Sequence, residues 1–213
     1  MGYKLYYFDV KFLAEPARML LHAAGQDFED ITWPMAEWEE WKKKSPTKKA
    51  PWLEVDGHEI PESFAINRFL ANRFGFAGKD EFEKALVDST ADFVKDTWKN
   101  ARDYFLALTG RKEGDLKKLE EEAFKSALNP AFDYIKKLLD KSGSGFIAPS
   151  GLTWIDFWLA VNILLVNELI PDFENKFGFA LEYQKRVHNH PKIKAYAESR
   201  KNVRISYLIK PKE

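Results

Sequence analysis

Pro51-Trp52-Leu53-Glu54-Val55-Asp56-Gly57-His58-Glu59-Ile60 is the stretch on which the fold turns. Two short, largely apolar runs flank Asp-Gly, a pair that tolerates the positive φ angles of a two-residue turn, so residues 51–60 read as an antiparallel hairpin. Pro51 stands at the first strand position, where its missing N–H removes no ladder bond. Upstream, Tyr3 to Phe8 is a short aromatic strand. Glu15 to Ala24 repeats Ala17, Leu20, Leu21 and Ala24 at helical spacing before Gly25 stops it, and Phe28 to Thr32 is a second strand. Trp38 to Lys44 forms a helix of one or two turns, and Ser63 to Phe74 a longer one ended by Gly75. The order β-α-β-α-β-β-α is a parallel βαβ unit followed by a hairpin and a covering helix.

Beyond Phe76-Ala77-Gly78 the period changes. From Glu81 to Arg200 apolar residues recur at helical spacing, with breaks at Gly110 to Gly114, Ser142 to Gly145 and Pro171. Pro130 lies inside a helical pattern and should kink or divide it. The fold class is therefore α/β followed by all-α, with a boundary near residues 76–80 that gives units of residues 1–78 and 79–213.

The 213 residues carry 33 basic and 33 acidic side chains. With no basic excess, a protein that tracks a nucleic-acid backbone is not expected. No cysteine is present, which excludes disulfides, thiolate metal sites and a cysteine nucleophile, so any sulfur chemistry is the substrate's. His188 and His190 have no acidic partner at ligand spacing, and no metal is expected. The longest apolar run, Phe157 to Ile170, is broken by Asn162, Asn167 and Glu168 and is too short to span a bilayer. A soluble, cytoplasmic protein without a membrane partner is the expectation.

Phosphate loops and nucleophile elbows are missing from the sequence, so chemistry must rest on positioned donors. Alternation along Tyr3 to Phe8 sends Tyr3 and Tyr7 to one face and Tyr6 to the other. These rings can be plain core packing, but a phenol at the C-terminal end of a strand is also where ligands of open α/β sheets bind. Ser63 opens a helix and can serve as its N-cap. The same helix start can take a carboxylate, and a free Glu62 beside it can take an ammonium. Carboxylate and ammonium on adjacent atoms describe an α-amino acid head group. Thr153 to Asp156 has capping-box spacing and reads as a folding element.

Tyr-Lys-Leu-x-Tyr-Phe at 3–8, Ala14-Glu15-Pro16-Ala17-Arg18, Ala50-Pro51-x-Leu53-Glu54-Val55-Asp56-Gly57, Glu62-Ser63-x-Ala65-Ile66, Phe74-Gly75-Phe76-Ala77-Gly78 and Leu152-Thr153-Trp154-x-Asp156 together resemble sigma-class glutathione transferases of the nematode type, relatives of glutathione-dependent prostaglandin D synthase. The match runs from Tyr3 to about Arg200, and its order and spacing are specific. It implies a thioredoxin-like N-terminal domain, an all-helical C-terminal domain and a homodimer. Glutathione would be co-substrate, with no tightly bound cofactor.

By position, the resemblance makes Tyr7 the thiol-activating residue, with Tyr6 the runner-up. Pro51 would be a cis-proline and Ala50 a backbone partner of the glutathione cysteine. Trp38, Lys42, Lys48 and Lys49 would surround the glycyl end, and Glu62 with Ser63 would hold the γ-glutamyl end. Asp96 would reach that end from a second chain. Phe8, Val10, Leu13, Trp98 and Tyr104 are candidates for the apolar electrophile site. The sequence departs from the family pattern at Leu13, where several members carry arginine. It departs again at Thr47-Lys48-Lys49, where a glycine is lost from a tight turn, and at Glu62, commonly glutamine. The implied activity is conjugation of glutathione to hydrophobic electrophiles, with peroxidase and prostaglandin isomerase activities also within the family's range. The competing readings are a carrier of haem or lipophilic ligands, and a lens-crystallin-like structural derivative.

Overall fold

The computed structural model describes residues 2–209. Its first part comprises β1 (Tyr3–Phe8), α1 (Glu15–Ala23), β2 (Phe28–Trp33), α2 (Trp38–Lys44), β3 (Trp52–Val55), β4 (His58–Pro61) and α3 (Ser63–Phe74). The sheet order is β2-β1-β3-β4, with β1 parallel to β2, β3 antiparallel to β1, and β4 antiparallel to β3. Asp56 and Gly57 both take positive φ, 54° and 78°, as the tight turn between β3 and β4 requires.

Alternation in β1 divides its tyrosines as the pattern requires. Tyr3, Leu5 and Tyr7 are buried on one face, in a core shared with Leu20 and Leu21 of α1 and Ile66 and Leu70 of α3. Tyr6 lies on the opposite face, stacked on Trp52 at 4.6 Å, where Trp33 also stacks on Trp41 of α2 at 4.4 Å.

The remainder is helical: α4 (Glu81–Leu108), α5 (Leu116–Ala123), α6 (Asn129–Ser142), α7 (Trp154–Leu169), α8 (Phe173–His188) and α9 (Lys194–Ser199). Between α5 and α6 the chain widens into a π turn, Phe124–Leu128, directly before Pro130 in the first turn of α6. The proline divides the helical run because its ring cannot take an interior position without displacing the preceding turn. Twelve of the sixteen residues of α7 are buried, so this helix is apolar nearly all round and forms the centre of the molecule. It runs against α1, α3, α4 and α8. No described helix is long and apolar enough to cross a membrane.

The two parts meet at a close junction. Gly78 has φ +114°, and a Cβ there would come within 2.9 Å of the Glu83 backbone. Glu83 accepts from the Lys79 amide at 2.9 Å and from the Ser150 amide and hydroxyl at 3.1 and 2.5 Å. The Trp154 amide donates to Phe76 O at 2.9 Å.

Thr153 to Asp156 forms the expected capping box, and Asp156 does more. Its fully buried carboxylate accepts from the Thr153 amide and hydroxyl (both 2.7 Å), the Ile147 amide (2.9 Å) and the Tyr183 hydroxyl (2.6 Å). Burial pushes its carboxyl above the usual range, while these four donors pull it back. Asp156→Ala orphans all of them, and a buried donor without a partner costs about 1–3 kcal/mol. Urea denaturation should therefore show a loss of at least about 3 kcal/mol. Tyr183→Phe, which leaves the other donors paired, should lose only about 1–2 kcal/mol.

Candidate active site

Tyr7 stands near the C-terminal end of β1, 4% exposed. Burial pushes its phenol well above the ordinary value, opposed by a hydrogen bond from the Leu13 backbone amide and by Arg18, whose guanidinium lies 5.9 Å from the ring centre. The group therefore stays protonated throughout the neutral range, and its hydroxyl can donate to a ligand. Tyr6 is engaged elsewhere. Its hydroxyl donates to Glu54 at 2.9 Å, and burial together with that carboxylate pushes it up to about 12.

The ladders pair Tyr6 with Trp52 and Trp52 with Pro61. One step further along these registers, Tyr7, Pro51 and Glu62 form a row across the sheet end, spanning about 10 Å at roughly 4.8 Å per strand. The Ala50–Pro51 peptide is cis. Glu62 adopts φ 69°, a conformation that costs a residue with a Cβ about 1–2 kcal/mol. It occupies the N-cap position of α3, and Ser63 is the first helical residue, not the cap as the sequence suggested. Glu62's reversed φ brings the helix start forward by one position. No side chain caps this end among the described residues, so the Ser63 hydroxyl and the first amides of α3 are not consumed by the helix itself.

Around this row, Trp38 packs on Phe8 at 5.2 Å and stacks on Trp33 at 6.3 Å. The Lys42 ammonium lies 3.5 Å from Glu39, and that of Lys49 lies 3.9 Å from Glu62. Ser45 Oγ holds the intervening turn by accepting from the Lys49 amide at 3.1 Å and donating to its carbonyl at 2.5 Å. Lys48 is exposed at φ 57°. Asp96 is exposed on α4 and does not line the cleft beside Tyr7.

That cleft, about 250 Å³, is lined by Tyr7, Phe8, Val10, Phe12, Met35, Arg111 and the segment Ser206 to Leu208. Of the five residues considered for an electrophile site, Phe8 and Val10 line this cleft and Leu13, Trp98 and Tyr104 do not. Leu13 packs against the core. Trp98 sits between Phe12 and Phe105 and lines a separate cavity among α4, α6 and α7. Tyr104 is 2% exposed among Phe105 and Phe124, its phenol pushed up to about 12 by burial and Glu120. All of these lie on apolar faces, and helical period alone does not say which apolar space a face meets.

The C-terminal segment was missed by sequence reasoning. The Tyr207 ring meets Phe8 edge-on at 5.9 Å, its hydroxyl donates to Asp9, and it accepts from the Met35 amide at 3.1 Å. Arg111 donates to Leu208 O at 2.6 Å and to Tyr207 O. The available signal was the apolar run Ile205 to Ile209, which follows the last helix with no helical period of its own.

Residues 1–72 match the family pattern described as glutathione S-transferase, N-terminal domain, and residues 95–200 match glutathione S-transferase, C-terminal domain. The chain belongs to the glutathione S-transferase family. Glutathione S-transferase 1 of Ascaris suum is 37% identical over 198 residues, covering 93% of this chain and 96% of that protein. Among solved structures, a Nu-class transferase from Haemonchus contortus is 38% identical with a TM-score of 0.83, covering 93% and 97% of the two chains. A hookworm transferase from Necator americanus, described as monomeric, is 38% identical with a TM-score of 0.84 over 94% and 98%.

In this transferase Lys48, a residue with a Cβ, holds the left-handed backbone that glycine adopts without steric penalty. Lys48→Gly should raise the urea midpoint by an amount equivalent to about 0.5–1 kcal/mol, whereas Lys48→Ala, which retains the Cβ, should not.

Proposed function

We propose that glutathione lies along the Tyr7–Pro51–Glu62 row with its thiol at Tyr7, and that this transferase adds the thiolate to hydrophobic electrophiles held in the cleft of Phe8, Val10, Phe12 and Tyr207. The observation that carries this is that a row of about 10 Å leaves room for the γ-glutamyl-cysteinyl part of extended glutathione, thiol at one end and α-amino acid head group at the other, at roughly 3.3–3.6 Å per residue. Glu62 offers an anion to the γ-glutamyl ammonium, and the uncapped start of α3 with the Ser63 hydroxyl receives the adjacent carboxylate. The Ala50 backbone pairs with the cysteinyl residue, and Trp38, Lys42, Lys48 and Lys49 lie toward the glycyl carboxylate.

A free thiol with pKa near 8.5 is only a few per cent ionised at neutral pH. Lowering that value by about two units requires roughly 3 kcal/mol. A hydrogen bond to a charged partner supplies about 1.5–3 kcal/mol, so the Tyr7 proton with one further donor suffices. No proton needs to reach Tyr7. The thiol releases its own to solvent, the sulfur lone pair forms the new bond to carbon, and with an aryl halide the halide leaves with its electron pair. The cleft's apolar lining favours electrophiles of that kind over charged ones. The sigma-class reading rests on this tyrosine and on Ala50-Pro51. The division into residues 1–78 for glutathione and 79–213 for the electrophile and dimer contacts rests on the chain passing from α3 to α4 through Gly75 and Gly78.

With an aryl halide, Tyr7→Phe should lower the conjugation rate roughly tenfold or more, while Tyr6→Phe stays within about twofold. The rate should rise with pH as the bound thiol ionises and then level, with no second inflection from Tyr7 below its ordinary value of 10.0. Greater damage from Tyr6→Phe would reverse the assignment.

Asp96 is exposed on α4, away from the cleft of its own chain, so we propose a two-fold homodimer in which a second chain presents it. Sedimentation should show a dimer at assay concentration, and Asp96→Ala should weaken glutathione binding several-fold. An active monomer, as the hookworm relative's description would suggest, contradicts this arrangement.

A further inference from the structure

Just past the end of α4, Gly110 takes a left-handed conformation, φ 69°, and the chain closes over it as such a glycine allows. The Gly110 amide donates to Ala107 O at 3.0 Å and the Arg111 amide to Leu106 O at 2.8 Å. The backbone of Arg111 is thereby fixed against the helix, although its side chain is exposed. From that base the guanidinium crosses to the far end of the chain. Its two terminal nitrogens donate to successive carbonyls, Leu208 O at 2.6 Å and Tyr207 O. A planar fork can hold two neighbouring acceptors at once in fixed directions, which a lysine ammonium does less well.

The segment held in this way lies outside any helix or strand. Several of its hydrogen bonds are internal: Arg204 Nε donates to Ser206 O at 3.0 Å, the Leu208 amide to Ser206 Oγ at 3.1 Å, and the Ile209 amide to Ser206 O at 3.2 Å. These shape a turn without tying it to the rest of the molecule. Its start is placed by the Lys11 amide, which donates to Arg204 O at 3.0 Å, and by the burial of Ile205 and Ser206. Beyond that point the Tyr207 hydroxyl is gripped by Asp9 and by the Met35 amide, and the main chain by Arg111. The Arg204 guanidinium lies over the Tyr207 ring at 4.9 Å, but it belongs to the same segment. The ring is therefore held at two ends, its hydroxyl and its backbone. Loss of the backbone grip leaves it free to pivot about the hydroxyl and to leave its edge-on contact with Phe8.

Arg111, Tyr207 and Leu208 line the cleft that contains Tyr7 and Phe8. On the reading of that cleft as the electrophile site, we propose that Arg111 is a positioning residue for the electrophile. It does not touch the reacting atoms. It holds the Tyr207 ring as a fixed wall, so that an apolar group entering the cleft meets a surface already in place and loses less affinity to ordering it.

The probe is S-hexylglutathione, whose peptide part takes the glutathione row and whose alkyl chain takes the cleft, compared with glutathione by calorimetry on the full chain. In the native chain S-hexylglutathione should bind at least about tenfold more tightly. Arg111→Ala should cut that advantage roughly threefold or more, with glutathione itself held to within about 1.5-fold, and Arg111→Lys should recover only part of the loss. Tyr207→Ala should cut the advantage at least as far. The double variant should then lose no more than Tyr207→Ala alone, because Arg111 acts through the ring. With an aryl halide, the loss in Arg111→Ala should appear in KM for the electrophile and not in KM for glutathione. The assignment is overturned if Arg111→Ala leaves the advantage intact, if it weakens both ligands alike, or if its effect adds in full to that of Tyr207→Ala. A native chain that shows no advantage for S-hexylglutathione overturns the cleft reading itself, and the role of Arg111 with it.

Discussion

The site hangs on one buried guanidinium. Arg18, with no exposed surface, donates through Nε to both oxygens of Asp30 (3.0 and 2.9 Å), and through its terminal nitrogens to Val10 O (2.8 Å), Glu15 (3.2 Å) and Phe8 O (3.5 Å). It thereby ties α1 to the middle of β2, to the last residue of β1 and to the loop carrying Val10. Through Glu15 the network extends to Tyr196 and Arg200 at the far end of the chain. An ion network this deep is weak evidence for net stability, because desolvation offsets much of the attraction. Its effect is positional: a planar fork with several fixed donors specifies where a loop runs, which a lysine's single ammonium would do less well.

Burial acts twice at the neighbouring Tyr7. It fixes the ring in the core, and it disfavours the phenolate, so the hydroxyl remains a donor at any pH where a thiolate could need one. A more exposed tyrosine would hold its proton less firmly and would be screened by water. The same logic separates Tyr7 from Tyr6, whose proton already belongs to Glu54. Local strain marks Glu62, at the other end of the row, and Lys48, in the turn before Pro51: both take positive φ without being glycine, and such conformations persist where the surroundings over-determine them.

Much of this was legible in the sequence because it is local. Asp56-Gly57 announces its turn through the φ angles it tolerates, Thr153 and Asp156 announce a helix start, and alternation alone puts Tyr6 and Tyr7 on opposite faces. What was not legible depends on geometry that no window contains. Ser63 looks like a cap until the backbone reversal at Glu62 moves the helix start by one residue. Trp98 and Tyr104 have the right period for an apolar face, but the period does not distinguish a ligand cleft from a helix bundle interior. Arg111 meets Leu208, 97 residues away, and nothing near either residue signals the contact.

On the proposed function, a protonated tyrosine lowers the pKa of a bound thiol. The direct measurement is a titration of enzyme-bound glutathione by ultraviolet thiolate absorbance. In the native chain the bound thiol should ionise about two units below the free thiol's value of roughly 8.5, and it should return most of the way to that value when the Tyr7 hydroxyl is removed. A bound thiol that ionises like the free one in the native protein would contradict it, as would a lowered value that survives loss of the hydroxyl.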